Sequence, residues 1–281
     1  MIPTAFDYQR ATSIDDALAK LAAGGGGKLV AGGHSLVPLM KLRLSEPRAL
    51  IDIARVPGLS GIHERDGQIQ IGAATTHHDV ASSTLLRDVC PVVADTAAEI
   101  GDQQVRNRGT LGGSLAHADP AADYPAAMLA VDAEVHLKGP NGLRKVKASD
   151  FFQGLFTVDL APDEMIVGVQ FAPVRAAAYV KLRQRASHFA IVGVAAAVDV
   201  REGVIQSARI GLTGAGTHAA RLAAVERALA GTPATDRSLE AAAALATLDE
   251  LNSDIHASEA YRRAMIPVFT RRALKAAMAR A

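Results

Sequence analysis

Two short stretches carry the residue types best suited to chemistry. They are Ala31-Gly32-Gly33-His34-Ser35 and Thr110-Leu111-Gly112-Gly113-Ser114, each a glycine pair beside small hydroxyl residues. A glycine pair after a strand lets the backbone approach a ligand closely, with N–H groups exposed and no Cβ in the way. N–H groups oriented in a nest or at a helix start hold phosphate oxygens. Two such loops suit a pyrophosphate gripped from two sides, with hydroxyls from Ser35, Thr110 or Ser114. A single glycine pair reads equally well as a tight turn; the recurrence, each time with a hydroxyl beside it, points to phosphate. No G-x-G-x-x-G follows the first strand and no acidic residue stands at the usual spacing for a ribose, so the standard nicotinamide-binding fold is disfavoured.

Other polar groups cluster around the second loop. His117, Asp119 and Asp123 combine imidazole and carboxylate groups that suit a metal, but loop-fixing hydrogen bonds are the preferred reading and no metal site is predicted. Arg106 and Arg108 suit phosphate or the bracing of backbone carbonyls. His77 and His78 are expected on the surface at a helix start. Asp123 stands just before "YPAAMLA", where a helix N-cap is one of its readings.

The elements that must position these groups are legible in outline. "TAFDY" (4 to 8) reads as a strand and "SIDDALAKLA" (13 to 22) as a helix capped by Ser13. The helix is stopped by "GGGG" (24 to 27), and "KLVAG" (28 to 32) reads as a buried strand. This strand–helix–strand order suggests a small α/β unit. "LVPLMKLRL" begins as a helix, and "ALIDIA" (49 to 54) is another buried strand. "GIHERDGQIQIGAATT" alternates around Asp66-Gly67 as a hairpin. "TTHHDVASS" and "CPVVADTAAEIG" follow as helices, the first capped by Thr75 or Thr76. The irregular run from Asp102 to Pro125 is of the kind that carries function. "DYPAAMLAVDA" passes from helix to strand, and a second hairpin turns at Asn141-Gly142. A boundary is expected near 171 to 178, followed by strands at 178 to 185, 190 to 200 and 203 to 214 and then alanine-rich helices, an α+β module.

The totals exclude several classes. The 281 residues include 30 basic and 29 acidic ones, a net charge of +1, which argues against an electrostatic grip on nucleic acid. The one cysteine, Cys90, rules out an internal disulfide and any cysteine-ligated cluster held by this chain alone. No apolar run is long enough for a transmembrane segment. "MIPTAFDYQRATS" lacks a basic region followed by a long apolar one, so the expected location is the cytoplasm.

"AGGHSLVPLMKLRL" (31 to 44) and "IGDQQVRNRGTLGGSLAHADPAADYPAAMLAVDA" (100 to 133) together resemble the FAD-binding medium subunit of molybdenum hydroxylases. The similarity is to the carbon monoxide dehydrogenase type, with the xanthine dehydrogenase flavin domain as a relative. It extends through "FFQGLFTVDLAPDEMI" (151 to 166) and "YVKLRQRASHFAIVGVAAAV" (179 to 198), nearly the whole chain.

The resemblance implies an α+β fold. A two-part FAD-binding domain of the vanillyl-alcohol oxidase-like type is expected over 1–174, with sub-parts of about 1–56 and 57–174. A small α+β C-terminal domain is expected over 175–281. It implies that Ala31, Gly32, Gly33, His34 and Ser35 form one pyrophosphate loop and Thr110, Leu111, Gly112, Gly113 and Ser114 the other. Asp123 matches a residue that binds the ribityl hydroxyls. Lys181 matches a basic residue near the flavin, with a plain surface lysine as the other reading. Phe189 stands where some relatives have an aromatic residue beside the isoalloxazine, or else in the core. FAD is expected to be non-covalent, although a histidine such as His34 can carry a covalent flavin in related flavoproteins. The molybdenum cofactor and two 2Fe-2S clusters would lie on a large and a small partner subunit, in a dimer of heterotrimers. Arg262, Arg263, Arg271 and Arg272 in the basic C-terminal segment are a candidate docking face. Two other readings stay open: a stand-alone FAD-dependent oxidase or dehydrogenase with its own substrate pocket, and a nucleotide-binding module that has lost FAD.

Overall fold

A computed structural model describes residues 1–23 and 25–281. Gly24, the first residue of the predicted helix stop, lies outside them. The chain opens with β1 (Asp7–Arg10), α1 (Ile14–Ala23), β2 (Gly27–Val30), α2 (Leu36–Lys41) and β3 (Ala49–Asp52). The strands form a parallel sheet in the order β1-β3-β2. Helix α1 starts as its sequence requires: Asp16 N donates to Ser13 Oγ at 3.0 Å, and the Asp16 carboxylate accepts from Thr12 N at 2.8 Å. The first strand begins later than 4 to 8, and β2 is half-buried rather than buried, because it is an edge strand facing a cavity.

The second layer is a five-stranded antiparallel sheet, ordered β4-β5-β10-β6-β7. It comprises β4 (Ile62–Arg65), β5 (Gln68–Gly72), β6 (Glu134–Gly139), β7 (Gly142–Lys147) and β10 (Met165–Phe171). Asp66 and Gly67 both have positive φ, 50° and 70°, which makes the twisted two-residue turn expected between β4 and β5. The β6–β7 turn sits one residue earlier than predicted, since Gly139 pairs with Gly142 and leaves Pro140-Asn141 as the loop.

Between β5 and β6 lie α3 (His77–Ser82), α4 (Thr84–Val89), α5 (Pro91–Ala98), α6 (Gln103–Arg106), α7 (Leu111–His117) and α8 (Tyr124–Ala130). The "irregular" run therefore holds two short helices, α6 and α7, and the start of α8. Helix α4 was not anticipated; it is begun by the Ser83 side chain, which accepts from Leu86 N. After β7 come α9 (Ala148–Phe151) and a small ribbon of β8 (Phe152–Gly154) and β9 (Thr157–Val158). The main core gathers Ile69, Leu86, Leu115, Tyr124, Met128, Leu137 and Phe151, all fully buried.

The third sheet has β11 (Ala177–Arg183), β12 (Ala190–Arg201), β13 (Val204–Thr213) and β14 (Ala220–Arg221) in sequence order, with the short β15 (Thr232–Pro233) also paired to β13. Helices α10 (Ala223–Leu229), α11 (Asp236–Ala243) and α12 (Glu259–Met278) cover one of its faces with a second core. Ala177, Tyr179, Ala195 and Ala197 belong instead to the main core, so α8 packs against the other face.

Helix α12 is one continuous helix through Pro267. One of the four arginines of the expected docking face, Arg262, is not available to it. Arg262 is only 3% exposed and donates to Ile191 O at 2.7 Å, Gly214 O at 2.6 Å and Asp254 Oδ2 at 2.7 Å. Arg263 pairs with Glu259, Arg271 with Glu240, and the Arg272 guanidinium lies over the Phe269 ring. Arg263, Arg271 and Arg272 nevertheless remain accessible at the surface. No helix among the described residues is long and apolar enough to cross a membrane.

Removing a buried guanidinium leaves its carbonyl partners unsatisfied. Arg262→Ala should lower stability by about 3 kcal/mol, whereas Arg263→Ala, from an exposed i,i+4 pair, should stay within about 0.5 kcal/mol. Urea denaturation of the two variants side by side checks the contrast.

Candidate functional site

A cavity of about 950 Å³ opens between the edge of the parallel sheet, the second glycine loop, the β8–β9 ribbon and residues 187–189. Its size suits a ligand as large as a dinucleotide. Ala31, Gly32, Gly33, His34 and Ser35 all line it, as do Thr110, Gly112, Gly113, Ser114 and Asp123. Leu111 and Lys181 do not.

The two glycine loops meet, but they do different work. The first follows β2 and leads into α2. Gly33 takes φ +76°, a turn that a side chain would strain. Ser35 makes no capping bond with its side chain, and among the described residues no acceptor takes the N–H of Gly32, Gly33, His34, Ser35 or Leu36. A run of free donors bordering a cavity is a site for an anion. The second loop keeps its donors to itself. Leu111 N donates to Thr75 O at 3.0 Å, Gly112 N to Ala73 O at 2.8 Å and Gly113 N to Thr110 Oγ1 at 3.2 Å. Its glycines serve close packing instead: a Cβ on Gly112 would come within 2.9 Å of Ala73 Cα. The loops touch directly, because a Cβ on Gly32 would overlap the Arg108 carbonyl oxygen and reach within 2.8 Å of Gly109 Cα. The Leu111 side chain is buried in the main core and contributes packing only.

Asp123 stands at the start of α8 but does not cap it. Its carboxylate accepts from the Tyr179 hydroxyl and lies 3.0 Å from Lys181 Nζ. Burial raises its carboxyl to about 6, with the Lys181 ammonium and the Tyr179 hydroxyl pulling the other way. Lys181 is not a surface lysine. Its side chain is 0% exposed, and Nζ also donates to Glu99 O and His188 O, both at 2.7 Å. It stands behind Asp123 rather than on the cavity wall.

Three further residues on the wall change their expected standing. His77 is buried, at 4% exposure, rather than on the surface; its neighbour His78 is exposed. Burial pushes its imidazole down to about 4, so it is neutral at pH 7, with Nδ1 unpartnered and its ring packed 5.3 Å from that of Tyr124. Phe189 is 47% exposed and faces the cavity, so it is no core residue. Phe156, which the sequence reading passed over, lies between β8 and β9 at φ +51°, is 52% exposed, and pairs with His117 at 5.2 Å between ring centroids. A bulky residue in the left-handed region is uncommon.

Asp119 fixes its own loop, accepting from Ala121 N at 2.8 Å, and Arg106 braces Ile100 O and Gly101 O at 3.0 and 3.1 Å. No group of His, Cys, Asp and Glu among the described residues is arranged to hold a metal. His34 Nε2 lies 3.3 Å from Gln104 O.

A dinucleotide-sized cavity bordered by a glycine loop with free N–H groups, outside the nicotinamide-binding pattern, is the arrangement that sets the class of this protein. A family model described as the FAD binding domain in molybdopterin dehydrogenase matches residues 4–173, and one described as the CO dehydrogenase flavoprotein C-terminal domain matches 177–277. The carbon monoxide dehydrogenase medium chain of Hydrogenophaga pseudoflava is 39% identical, over 100% of this chain and 99% of that one. The 6-hydroxypseudooxynicotine dehydrogenase complex subunit alpha of Paenarthrobacter nicotinovorans is also 39% identical, over 100% and 97%. The solved structure of carbon monoxide dehydrogenase from Hydrogenophaga pseudoflava lacking the Mo-pyranopterin moiety superposes with a TM-score of 0.96 at 40% identity, covering 100% of both chains. The chain belongs to the FAD-binding subunit family of the molybdopterin dehydrogenases.

The glycine geometry separates two classes of variant. Gly33→Val and Gly113→Val should strip FAD: at Gly33 a side chain would strain the left-handed turn and press on the side chains of Val37 and Val30, and at Gly113 it would push aside the Thr110 hydroxyl. Gly32→Ala and Gly112→Ala should lower stability as well, by about 1–3 kcal/mol, because their Cβ atoms meet backbone. Flavin absorbance per chain and thermal melts of all four test this.

His77 yields a pH dependence. Its folded pKa lies below the unfolded value, so the unfolded chain binds more protons between about pH 6.5 and pH 4, and stability falls as pH falls through that window. The loss reaches about 3 kcal/mol at its limit. The raised Asp123 acts in the opposite sense. Comparing urea midpoints of wild type and His77→Gln at pH 7 and pH 5 isolates the imidazole: the variant should lose less on acidification.

Proposed function

We propose that this chain is the flavin subunit of a molybdenum hydroxylase complex. It would take electrons from iron–sulfur clusters on a partner and pass them to an external acceptor. The observation that carries this reading is the run of free N–H groups at Gly32 to Leu36 bordering a dinucleotide-sized cavity, in a chain of this family. The residues present fit FAD. The donors of the 31–35 loop would hold the pyrophosphate, and Gly113 and Ser114 would form the opposite wall beside Thr110. Asp123 would accept from the ribityl hydroxyls with Lys181 behind it. Phe189 and Phe156 supply exposed ring faces at the cavity.

FAD, when bound, supplies the two-electron redox chemistry. The chain's own residues bind, orient and exclude water; none is required as nucleophile or general base. FAD is held non-covalently in this reading. Cys90, the one cysteine, is buried, and burial pushes its thiol up to about 12, so the clusters belong to another chain. The two relatives of equal identity are named for carbon monoxide and for 6-hydroxypseudooxynicotine, two unrelated compounds. Substrate choice therefore rests with the molybdenum-bearing large subunit. We further propose a small iron–sulfur subunit as the electron donor, a dimer of heterotrimers as the assembly, the cytoplasm as the compartment, and a division at 174/175 between the flavin domain and a C-terminal domain.

Acid precipitation of the purified protein should release FAD into the supernatant; flavin retained in the pellet, or released as FMN, would contradict the reading. The isolated chain should bind FAD yet oxidise no hydroxylase substrate. Adding the two partner subunits should restore substrate-dependent bleaching of the flavin. Turnover by the isolated chain at the rate of the complex would overturn the subunit assignment.

A further inference from the structure

Asp123 begins α8, yet its carboxylate is held from β11, more than fifty residues further along. The Tyr179 hydroxyl donates to Oδ1, and Lys181 Nζ lies 3.0 Å from Oδ1 and 3.1 Å from Oδ2. All three side chains are buried. Lys181 divides its donors among Asp123, Glu99 O and His188 O. The Tyr179 hydroxyl has Asp123 as its one acceptor. The neighbouring strand β12 makes room for that hydroxyl with Gly193, where a Cβ would overlap the oxygen and lie 3.1 Å from Tyr179 Cζ. A notch of this kind opposite a single buried O–H is a provision for the hydroxyl rather than for the ring.

We propose that Tyr179 is a positioning residue for the flavin, acting through Asp123: it fixes which carboxylate lone pairs face the cavity and favours the ionised form. This rests on the reading that Asp123 accepts from the ribityl hydroxyls. An ionised carboxylate offers about four acceptor directions. Tyr179 and Lys181 occupy those turned toward β11, and the remainder are left for the ligand. Without the hydroxyl, the buried group has one anchor fewer and takes up a proton more readily. The charged and titratable groups facing it are Tyr179 and Lys181 from β11, Glu99 from the end of α5, and Tyr124 on α8 itself.

The test is FAD affinity of the full chain, by equilibrium dialysis from pH 5 to pH 8, for wild type, Tyr179→Phe, Asp123→Asn and the double variant. Tyr179→Phe should bind FAD about ten-fold more weakly at pH 7, and its loss of affinity on acidification should set in at higher pH. The double variant should be no worse than Asp123→Asn, because one group acts through the other. Gly193→Ala, which displaces the hydroxyl without deleting it, should weaken FAD in the wild type and add little in the Tyr179→Phe background; it keeps the test open if any one variant folds poorly. Unchanged FAD binding by Asp123→Asn would remove the Asp123 reading and the proposal together. A weakened Asp123→Asn beside a Tyr179→Phe that matches wild type at every pH would overturn the proposal alone. Additive losses in the double variant would do the same.

Discussion

The contact of Gly32 with the Arg108 carbonyl is the constraint on which the cavity depends. Two backbone segments 76 residues apart in the chain touch with no side chain between them. One segment belongs to the edge of the parallel sheet, the other to the loop ahead of α7. Their closeness lets the free donors of the first loop share a cavity with the wall made by the second. A single methylene at this point would hold the loops apart, and the dense packing behind Gly112 and Ala73 leaves the second loop no way to retreat. The apparent duplication of the glycine motif is therefore a division of labour. One loop keeps its N–H groups unspent; the other spends them on its own support.

A second dependence runs between the helical layer and the third sheet. The Lys181 ammonium is fully enclosed and satisfied by three acceptors: the Asp123 carboxylate on α8, the Glu99 carbonyl after α5, and the His188 carbonyl ahead of Phe189. A buried charge is tolerable only with such complete hydrogen bonding. The same network that balances Asp123 thus ties the loop bearing Phe189 to the cavity rim. Position and electrostatics are set by one group.

The pattern of elements was legible because local rules fixed it. Ser13 and Asp16 mark a helix start, and Asp66-Gly67 marks a turn, through bonds made within four residues. The glycine loops were legible as a pattern, since close approach removes Cβ wherever it occurs. Their separate tasks were not, because the acceptors for Leu111 and Gly112 are carbonyls of Thr75 and Ala73, brought near only by the fold. His77 follows a helix cap and carries no local sign of burial; the Gly109 backbone and the Tyr124 ring enclose it. The alternation in β11 leaves Lys181 free to be exposed or buried, and α8 decides. Nothing in the sequence distinguishes Arg262 from Arg263, Arg271 and Arg272; the strand-end carbonyls of Ile191 and Gly214 beneath it do. The left-handed turn at Phe156 had no signal, since glycine or asparagine is the usual occupant of such a position.

The main core is not closed by the first two sheets. Ala177, Tyr179, Ala195 and Ala197 complete it from the third. On a ribosome, a nascent chain that has emerged only as far as β10 therefore lacks both the cover for this apolar surface and the Ser187–Phe189 rim of the cavity. The cavity wall is then complete only once the chain has emerged past Phe189. Any chaperone or partner that meets the growing polypeptide earlier encounters an open hydrophobic face rather than a finished flavin pocket.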